Sequence, residues 1–308
     1  MHANASIDFT IGSRRLLAVS RALTTWSFSL AEVLALGEQH GDAAGLPEPP
    51  DPGPDGLRVL SAPRAALDTI ASTFPGHVAG SRQDYRRHFI AMEGSYSDYL
   101  AQFSSKTRST LQRKARKLAR ETGGYEVTRH ASAGEVAAFL DAALPLSART
   151  YQARLLDAGL PDTTGARLSM LEAAEDDRLR CFLLWAKGEP IAYLALPVTG
   201  TTVVYAHVGH DPEFARLSPG TVLQCEALEA LFAEQRFTHF DFTEGEGSHK
   251  AMFGTASADC ASFVLLTPTA FNRTLVAART GFDAAVAGAR TLTERTPALA
   301  RIRSLLRA

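Results

Sequence analysis

Cysteine is scarce in this 308-residue chain. The three present, Cys181, Cys225 and Cys260, are far apart and lack the paired spacing of a metal site. Each lies in or beside an apolar run, the usual setting of a reduced, buried thiol, and a catalytic thiol is the alternative. The histidines and acids form no HExxH or mixed Cys/His pattern, so no metal is expected. No apolar run is long enough to cross a bilayer, and the N-terminus has no charged-then-apolar leader. A cytoplasmic setting is therefore expected, with peripheral contact at the inner membrane as a further option. Neither charge sign dominates: 32 basic against 33 acidic residues leave a formal net charge of -1. Global charge thus gives no argument for a nucleic-acid partner, although local charge can. Lysine is rare beside arginine and alanine, a composition typical of GC-rich bacterial genomes. There is no internal repeat, and no biased tract beyond one proline-rich segment.

What is present suits a soluble globular protein, 45% hydrophobic and 21% charged, long enough for one large domain or two small ones. Residues 1 to 60 give weak signals: strands over Arg14–Val19 and Thr24–Leu30 and a short helix over Leu30–Leu36. From Gly41 to Gly56, Pro47, Pro49, Pro50, Pro52 and Pro54 can continue neither a helix nor an inner strand, which predicts a loop. A strand over Leu57–Leu60, a helix over Pro63–Phe74 and a strand over Tyr85–Met92 complete a small α/β region, 1–94.

A helix over Ser104–Thr122 follows, with an apolar stripe of Phe103, Thr107, Leu111, Ala115 and Leu118 and a Gly123-Gly124 stop. Its other faces carry Lys106, Arg108, Arg113, Lys114, Arg116, Lys117 and Arg120, with no acid between Tyr99 and Arg120. Either this is a solvated face, or it is a positive wall for an anionic ligand such as a nucleotide-bearing cofactor, RNA or a lipid headgroup. No aromatic interleaves it, which argues against a single-strand platform. Next come a strand at Tyr125–Arg129, a capping box of Ser132 and Glu135 opening a helix to Leu144, an interruption at Pro145, and helices over Leu146–Ala158 and Thr164–Glu175. Three strands then form a meander: Leu179–Ala186, Ile191–Val198 and Thr201–His210. A helix from Pro219 to about Gln235, with Ser218 as its expected side-chain cap, leads to a strand at Thr238–Thr243, a short helix from Ser248 and a last strand at Ala261–Leu266. The tail, 267–308, has a helical pattern with Arg273, Arg279, Arg290, Arg295, Arg301, Arg303 and Arg307, and contact with a partner or a membrane surface is the alternative to a packed appendage.

The element order from Tyr125 onward, the run Tyr205-Ala206-His207-Val208-Gly209-His210-Asp211-Pro212, the Leu217-Ser218-Pro219-Gly220-Thr221 helix start, Phe240-Asp241-Phe242 and Lys250 together resemble the CelD-like acetyltransferases of the GNAT superfamily, which are related to Fem-type aminoacyl transferases. The resemblance covers residues 95–266. The family commonly has Tyr before the lysine, where this chain has His249. The resemblance implies an α/β (α+β) fold: a GNAT-like mixed sheet flanked by helices, with a small N-terminal α/β region and a C-terminal helical tail. It also implies acyl transfer from acetyl-CoA or another acyl-CoA to an amine or hydroxyl on a small molecule or glycan precursor, in envelope or exopolysaccharide synthesis. The alternatives are an aminoacyl-tRNA-dependent transferase, the one case with a nucleic-acid partner, and a non-catalytic sugar- or partner-binding module on the same fold.

Acyl transfer requires a base for the acceptor, stabilisation of the carbonyl oxygen and anchoring of the donor's phosphates. Asp241, His249 and Glu244 are the candidate proton acceptors. Asp241 is set between two phenylalanines and is alternatively a structural carboxylate; Glu244 is on a glycine-flanked loop and is alternatively solvated. Arg216, Ser218, Gly220 and Thr221 are candidates for the pyrophosphate, and backbone amides near Val208 for the thioester carbonyl. Tyr205, His207, Lys250 and Arg108 are candidate substrate contacts; His207 and Tyr205 are alternatively core residues, and Lys250 alternatively pairs Asp241.

Overall fold

The computed structural model describes residues 3–11, 14–39, 42, 45–150 and 159–295. Half of the helix expected over Leu146–Ala158, and the tail arginines Arg301, Arg303 and Arg307, lie outside the described residues. The chain divides into two compact units, one of Met1–Arg87 with Ala258–Ala308 and the other of His88–Ser257. The sequence reading drew its boundaries at 94/95 and 266/267.

In the first unit, β1 (Ala3–Ile11) and β2 (Arg14–Ser27) form an antiparallel ribbon, and β2 pairs in parallel with β3 (Gly56–Pro63). β3 pairs antiparallel with β11 (Ala256–Leu266), which neighbours β4 (Val78–Ala91). β2 merges the two strands expected at 14–30 into one, and β1 is an element the sequence reading did not see. Helix α1 (Leu30–Glu38) starts in a Ser29–Glu32 capping box; α2 (Leu67–Thr73) and a 3-10 turn at Arg64–Ala66 replace the single helix expected there. Trp26, Phe28, Val33, Leu36, Val59 and Ile70 are buried together on one side, and α9 (Ala270–Arg295) sets Leu275 against Val264 and Leu266.

The second unit opens with α3 (Tyr96–Ala101) and α4 (Ser105–Thr122). Ser104 caps α4 by accepting from Thr107 N, and Gly123 ends it in the left-handed conformation that glycine adopts without strain. β5 (Glu126–His130), α5 (Ala133–Arg149) and α6 (Thr164–Glu175) precede the meander β6 (Leu179–Ala186) and β7 (Glu189–Thr199). Pro145 does not interrupt α5 as expected. Leu144, Leu146 and Ser147 around it are all buried, and that packing outweighs a mid-helix proline's cost of about 3 kcal/mol. The third meander strand is also not continuous. It breaks into β8 (Thr202–Val204) and β9 (His207–His210). A 3-10 turn, Pro212–Leu217, leads into α7 (Pro219–Ala233); β10 (His239–Asp241) and α8 (Ser248–Phe253) follow. The strand order is β4-β10-β8-β7-β6-β5, with β9 also on β7. The core on the α7 side holds Phe182, Leu194, Val203, Leu223, Leu228, Phe240 and Phe253; α5 and α6 cover the other side through Phe139, Leu140 and Leu183.

One ion pair ties β6 to the end of α7. Arg180, whose side chain is 7% exposed, donates through Nε and Nη2 to Glu234, and Asp177 also pairs it. Removing one member of such a pair strands a buried charge, whereas removing both does not. Asp177→Ala/Glu234→Leu, which removes both carboxylates from Arg180, should therefore cost about 3 kcal/mol in urea denaturation, and adding Arg180→Met to it distinctly less. Equal losses would contradict a desolvated pair.

Candidate active site

The break between β8 and β9 is a register shift. β8 opposes β7 as Val203↔Val198 and Thr202↔Thr199, whereas β9 opposes it as His207↔Ala195 through His210↔Ala192, one residue out of step. Tyr205 and Ala206 absorb the extra residue, and Ala206 N folds back on Val204 O (3.0 Å). Such a bulge bends its strand. Before it, β8 lies parallel to β10; Tyr205 N to Asp241 O (2.9 Å) is the last link, and beyond it β9 pairs with β7 alone among the described residues. A wedge opens between β9 and the end of β10.

Antiparallel pairing fixes what faces this wedge. Asp211 N donates to Ile191 O (2.9 Å), so Gly209 and His207 share that phase and turn their amides toward β7. Val208 and His210 alternate with them, and their N–H groups point away from β7, toward the side β10 has left. Gly209 must be glycine: a Cβ there would lie 2.5 Å from the Tyr193 ring.

α7 begins beside this strand, since a Cβ on Gly220 would sit 3.7 Å from His210 Nδ1. Ser218 does not cap it as expected. It takes φ 56°, ψ 47°, its side chain makes no cap bond, and Pro219 occupies the first helical position. A residue before proline avoids the right-handed helical region, so the turn is made in the left-handed one. Thr221 N and Val222 N both go to Ser218 O (3.1 and 3.2 Å). Pro219 has no N–H, so Gly220 supplies the one first-turn amide without a backbone partner among the described residues.

Cations supply most of the anion-binding capacity. A cleft of about 660 Å³ is lined by Arg113, Lys114, Arg116, Lys117 and Arg120 of α4 and by Arg216, Leu217 and Ser218. Lys114 Nζ donates to Thr221 Oγ1 (3.2 Å) and Lys117 Nζ to Arg216 O (3.1 Å), which fixes α4 against the α7 start. Arg216 pairs Glu121 Oε2 (2.6 Å), the first acid after the basic run. Arg108 faces elsewhere: it donates to the carbonyls of Ala101 and Phe103 and lines a smaller apolar pocket with Tyr96, Leu111 and Cys225.

α8 carries His249 toward the bulge. Its ring lies 6.3 Å from the Tyr205 ring and 4.8 Å from that of Phe253, and its Nε2 is 2.5 Å from Gln224 Oε1 on α7. Burial first, then the charges of Lys114 and Lys250, hold its pKa below the usual 6.5, so neutral imidazole prevails. Burial pushes the Tyr205 phenol up, and the imidazoles of His207 and His210 down. Asp241 is 1% exposed and accepts from Thr243 N (2.9 Å), a strand-ending turn. Glu244 is exposed on the loop before α8, and its carbonyl, not its carboxylate, receives the Lys250 ammonium. The structure thus brings Arg216, Ser218, Gly220, Thr221, Val208, Tyr205 and His249 around one strand-and-helix junction. Arg108 and the Glu244 carboxylate are not gathered with them. Lys114 and Lys117 join the junction from the basic wall of α4, and Gln224 joins it without any sequence signal having pointed to it.

Residues 105–251 match the acetyltransferase (GNAT) domain family. Among solved structures the chain is similar to L-PGS from Bacillus licheniformis, at 13% identity over 73% of this chain and 72% of that one with a TM-score of 0.47. It is similar to FemX at 11% identity, 86% and 89% coverage and a TM-score of 0.47. A GCN5-related N-acetyltransferase from Kribbella flavida aligns at 15% identity, 80% of each chain and a TM-score of 0.37. No curated protein matches. Among the described residues no three metal-ligating side chains cluster, and no helix is long and apolar enough to cross a membrane.

The Ser218 hydroxyl contributes no cap bond, so Ser218→Ala should leave the Tm of the unliganded protein unchanged. Ser218→Gly should raise stability by about 1 kcal/mol, the cost of the left-handed region to a residue with a Cβ. A loss of about 1 kcal/mol in Ser218→Ala would instead mark a working side-chain cap.

Proposed function

We propose that residues 105–251, a GNAT acetyltransferase domain, transfer an acyl group from an acyl-CoA thioester to an amine or hydroxyl, with donor and acceptor bound together. The observation that carries this reading is the bulge at Tyr205–Ala206, which turns the Val208 amide into a wedge beginning where the basic cleft ends. The donor's phosphates lie against Arg113, Lys114 and Lys117 and the Gly220 amide, and the pantetheine arm follows β9. The thioester carbonyl accepts from Val208 N–H, which is worth most when the oxygen gains charge in the transition state. His249, neutral and beside the wedge, takes the acceptor's proton. The acceptor nitrogen or oxygen then bonds the thioester carbon and the carbon–sulfur bond breaks. The thiolate leaves and takes a proton from the imidazolium, restoring neutral histidine. Asp241 ends β10 and sets the Thr243 turn toward α8, a positioning role.

A second reading is an aminoacyl-tRNA donor. It is favoured by the extent of the basic face: Arg116 and Arg120 are exposed, and six cations line a cleft whose neighbouring acid, Glu121, already pairs two of them, Arg216 and Arg120. The two separate by salt dependence. CoA at about 100 times its Kd should stabilise the protein by about 2.7 kcal/mol. Arg113→Glu/Lys117→Glu should weaken that binding by roughly tenfold or more. No CoA effect, with tRNA affinity falling steeply as salt rises, would replace the first reading by the second.

The pH profile tests the base. The His249 pKa is depressed, so the base is present above that value and lost as pH falls through it. The acid limb of kcat/KM should therefore have its midpoint below 6.5 and vanish in His249→Ala, along with at least about 100-fold in rate. Full activity in His249→Ala would remove it from this role.

A further inference from the structure

Gln224 lies on the buried side of α7, 0% exposed, between Leu223 and Cys225 in a helix otherwise buried through Val222, Ala227, Leu228 and Leu231. A polar side chain in that position needs its hydrogen bonds met. Only half of its carboxamide is accounted for: Oε1 is 2.5 Å from His249 Nε2, and Nε2 is buried with no partner among the described residues. We infer that Gln224 is a positioning residue of the transfer site: its carbonyl holds the proton on His249 Nε2, so that Nδ1 carries the lone pair that takes the acceptor's proton, and its amide N–H is a donor that a carbonyl of the bound donor or acceptor satisfies. The inference rests on His249 as the base.

The chemistry is that of a second group fixing an imidazole's tautomer. A neutral imidazole has one donor and one acceptor nitrogen, so an acceptor at Nε2 forces the proton there. When Nδ1 takes the acceptor's proton the ring becomes a cation with both nitrogens protonated, and its Nε2–H remains on Gln224. A glutamine carbonyl performs this without a charge, leaving the imidazole pKa low; a carboxylate would raise it. The other groups facing the ring are Lys114 from α4, Lys250 on its own helix and the Tyr205 phenol from the bulge, with Phe242 and Phe253 uncharged around it. None of the three polar groups is a carboxylate, so Gln224 is the neutral acceptor in a surround otherwise weighted toward positive charge.

The test uses the full-length protein labelled with ¹⁵N. Long-range ¹H–¹⁵N spectra report the tautomer of each imidazole, and His249→Gln assigns the resonance. The expected result is an Nε2–H tautomer titrating below 6.5, and a shift of the Gln224 side-chain amide protons when acetyl-CoA is added. Gln224→Leu should give a mixture of tautomers, cut kcat for CoA release from acetyl-CoA, with water as acceptor, by at least about tenfold, and raise KM for acetyl-CoA, whose carbonyl loses its N–H partner. Gln224→Glu should keep the Nε2–H tautomer, move its midpoint upward, and recover part of kcat above that midpoint. An Nδ1–H tautomer in the wild type overturns the inference, as does an unchanged tautomer or unchanged kcat in Gln224→Leu. A wild type that releases no CoA counts against the transfer reading itself, and a fully active His249→Ala removes only the base assignment; in either case the tautomer spectra still decide whether Gln224 fixes the ring.

Discussion

A one-residue slip in strand pairing governs the second unit. β7 is a long, almost fully buried strand, and it pairs with β8 and β9 in two registers that differ by one. Regular pairing throughout would continue β8 alongside β10 and close the sheet. The extra residue at Tyr205–Ala206 prevents that, and three consequences follow from it alone. The backbone amides of Val208 and His210 lose the strand that would have paired them on that side. The Tyr205 ring turns onto Phe240, Phe242 and His249. The chain beyond His210 leaves β7 at an angle that delivers α7 with Gly220 beside His210. A backbone irregularity thus opens the wedge, orients its backbone donors and sets the start of α7 beside it.

The basic cleft beside the α7 start has an electrostatic problem of its own. Six cations face one cleft, and their repulsion opposes the folded state unless something offsets it. The offsets visible in the chain are apolar and local: Leu111 and Leu118 anchor α4, Lys114 and Lys117 bond oxygens of the α7 start, and Glu121 neutralises Arg216. Arg120 also lies 3.9 Å from Glu121, so one carboxylate is shared by two of the six cations, and the net positive charge stays in a concave surface, where the fields add. The helix dipole is a minor partner here. Pro219 and the Ser218 carbonyl leave Gly220 as the unmet first-turn amide, so side-chain charge does what free amides do at other helix starts.

Local signals made much of this legible. α4 announced itself through its apolar stripe and the Gly123 stop, and α5 through the Ser132 and Glu135 capping box; in both the residue itself satisfies the helix end. Apolar runs gave β6 and β7, and the Ser-Pro-Gly turn marked the start of α7. The misses share a cause. Pro145 stays helical because its neighbours are buried, which no residue spacing encodes. The bulge follows from how β7 pairs on each side of it, a relation between distant segments. β1 at the sheet edge pairs with β2 alone, so it lacks the double-sided apolar pattern that marks an inner strand. Ser218 was read as a cap from its residue type, but the proline after it selects a conformation in which the hydroxyl cannot reach the helix amides.

Gln224 shows why the site was harder to read than the fold. Sequence reasoning about a buried helix face looks for apolar residues at helical spacing, and it passes over a glutamine among them as a surface residue. Yet a buried, half-satisfied amide is what a folding sequence would replace with leucine if stability were the whole requirement. Its presence beside a neutral histidine, next to a bulged strand and a positively charged helix, is a departure from local consistency that packing does not explain. The departures cluster: the bulge, the left-handed Ser218, the crowded cations and the orphaned amide all lie within one junction of β9, α7 and α8. Strained backbone occurs elsewhere in the unit, at the left-handed Asp177, Lys187 and Gln235 and at the mid-helix Pro145, but at this junction it coincides with crowded charge and unmet polarity, a combination that packing alone does not call for.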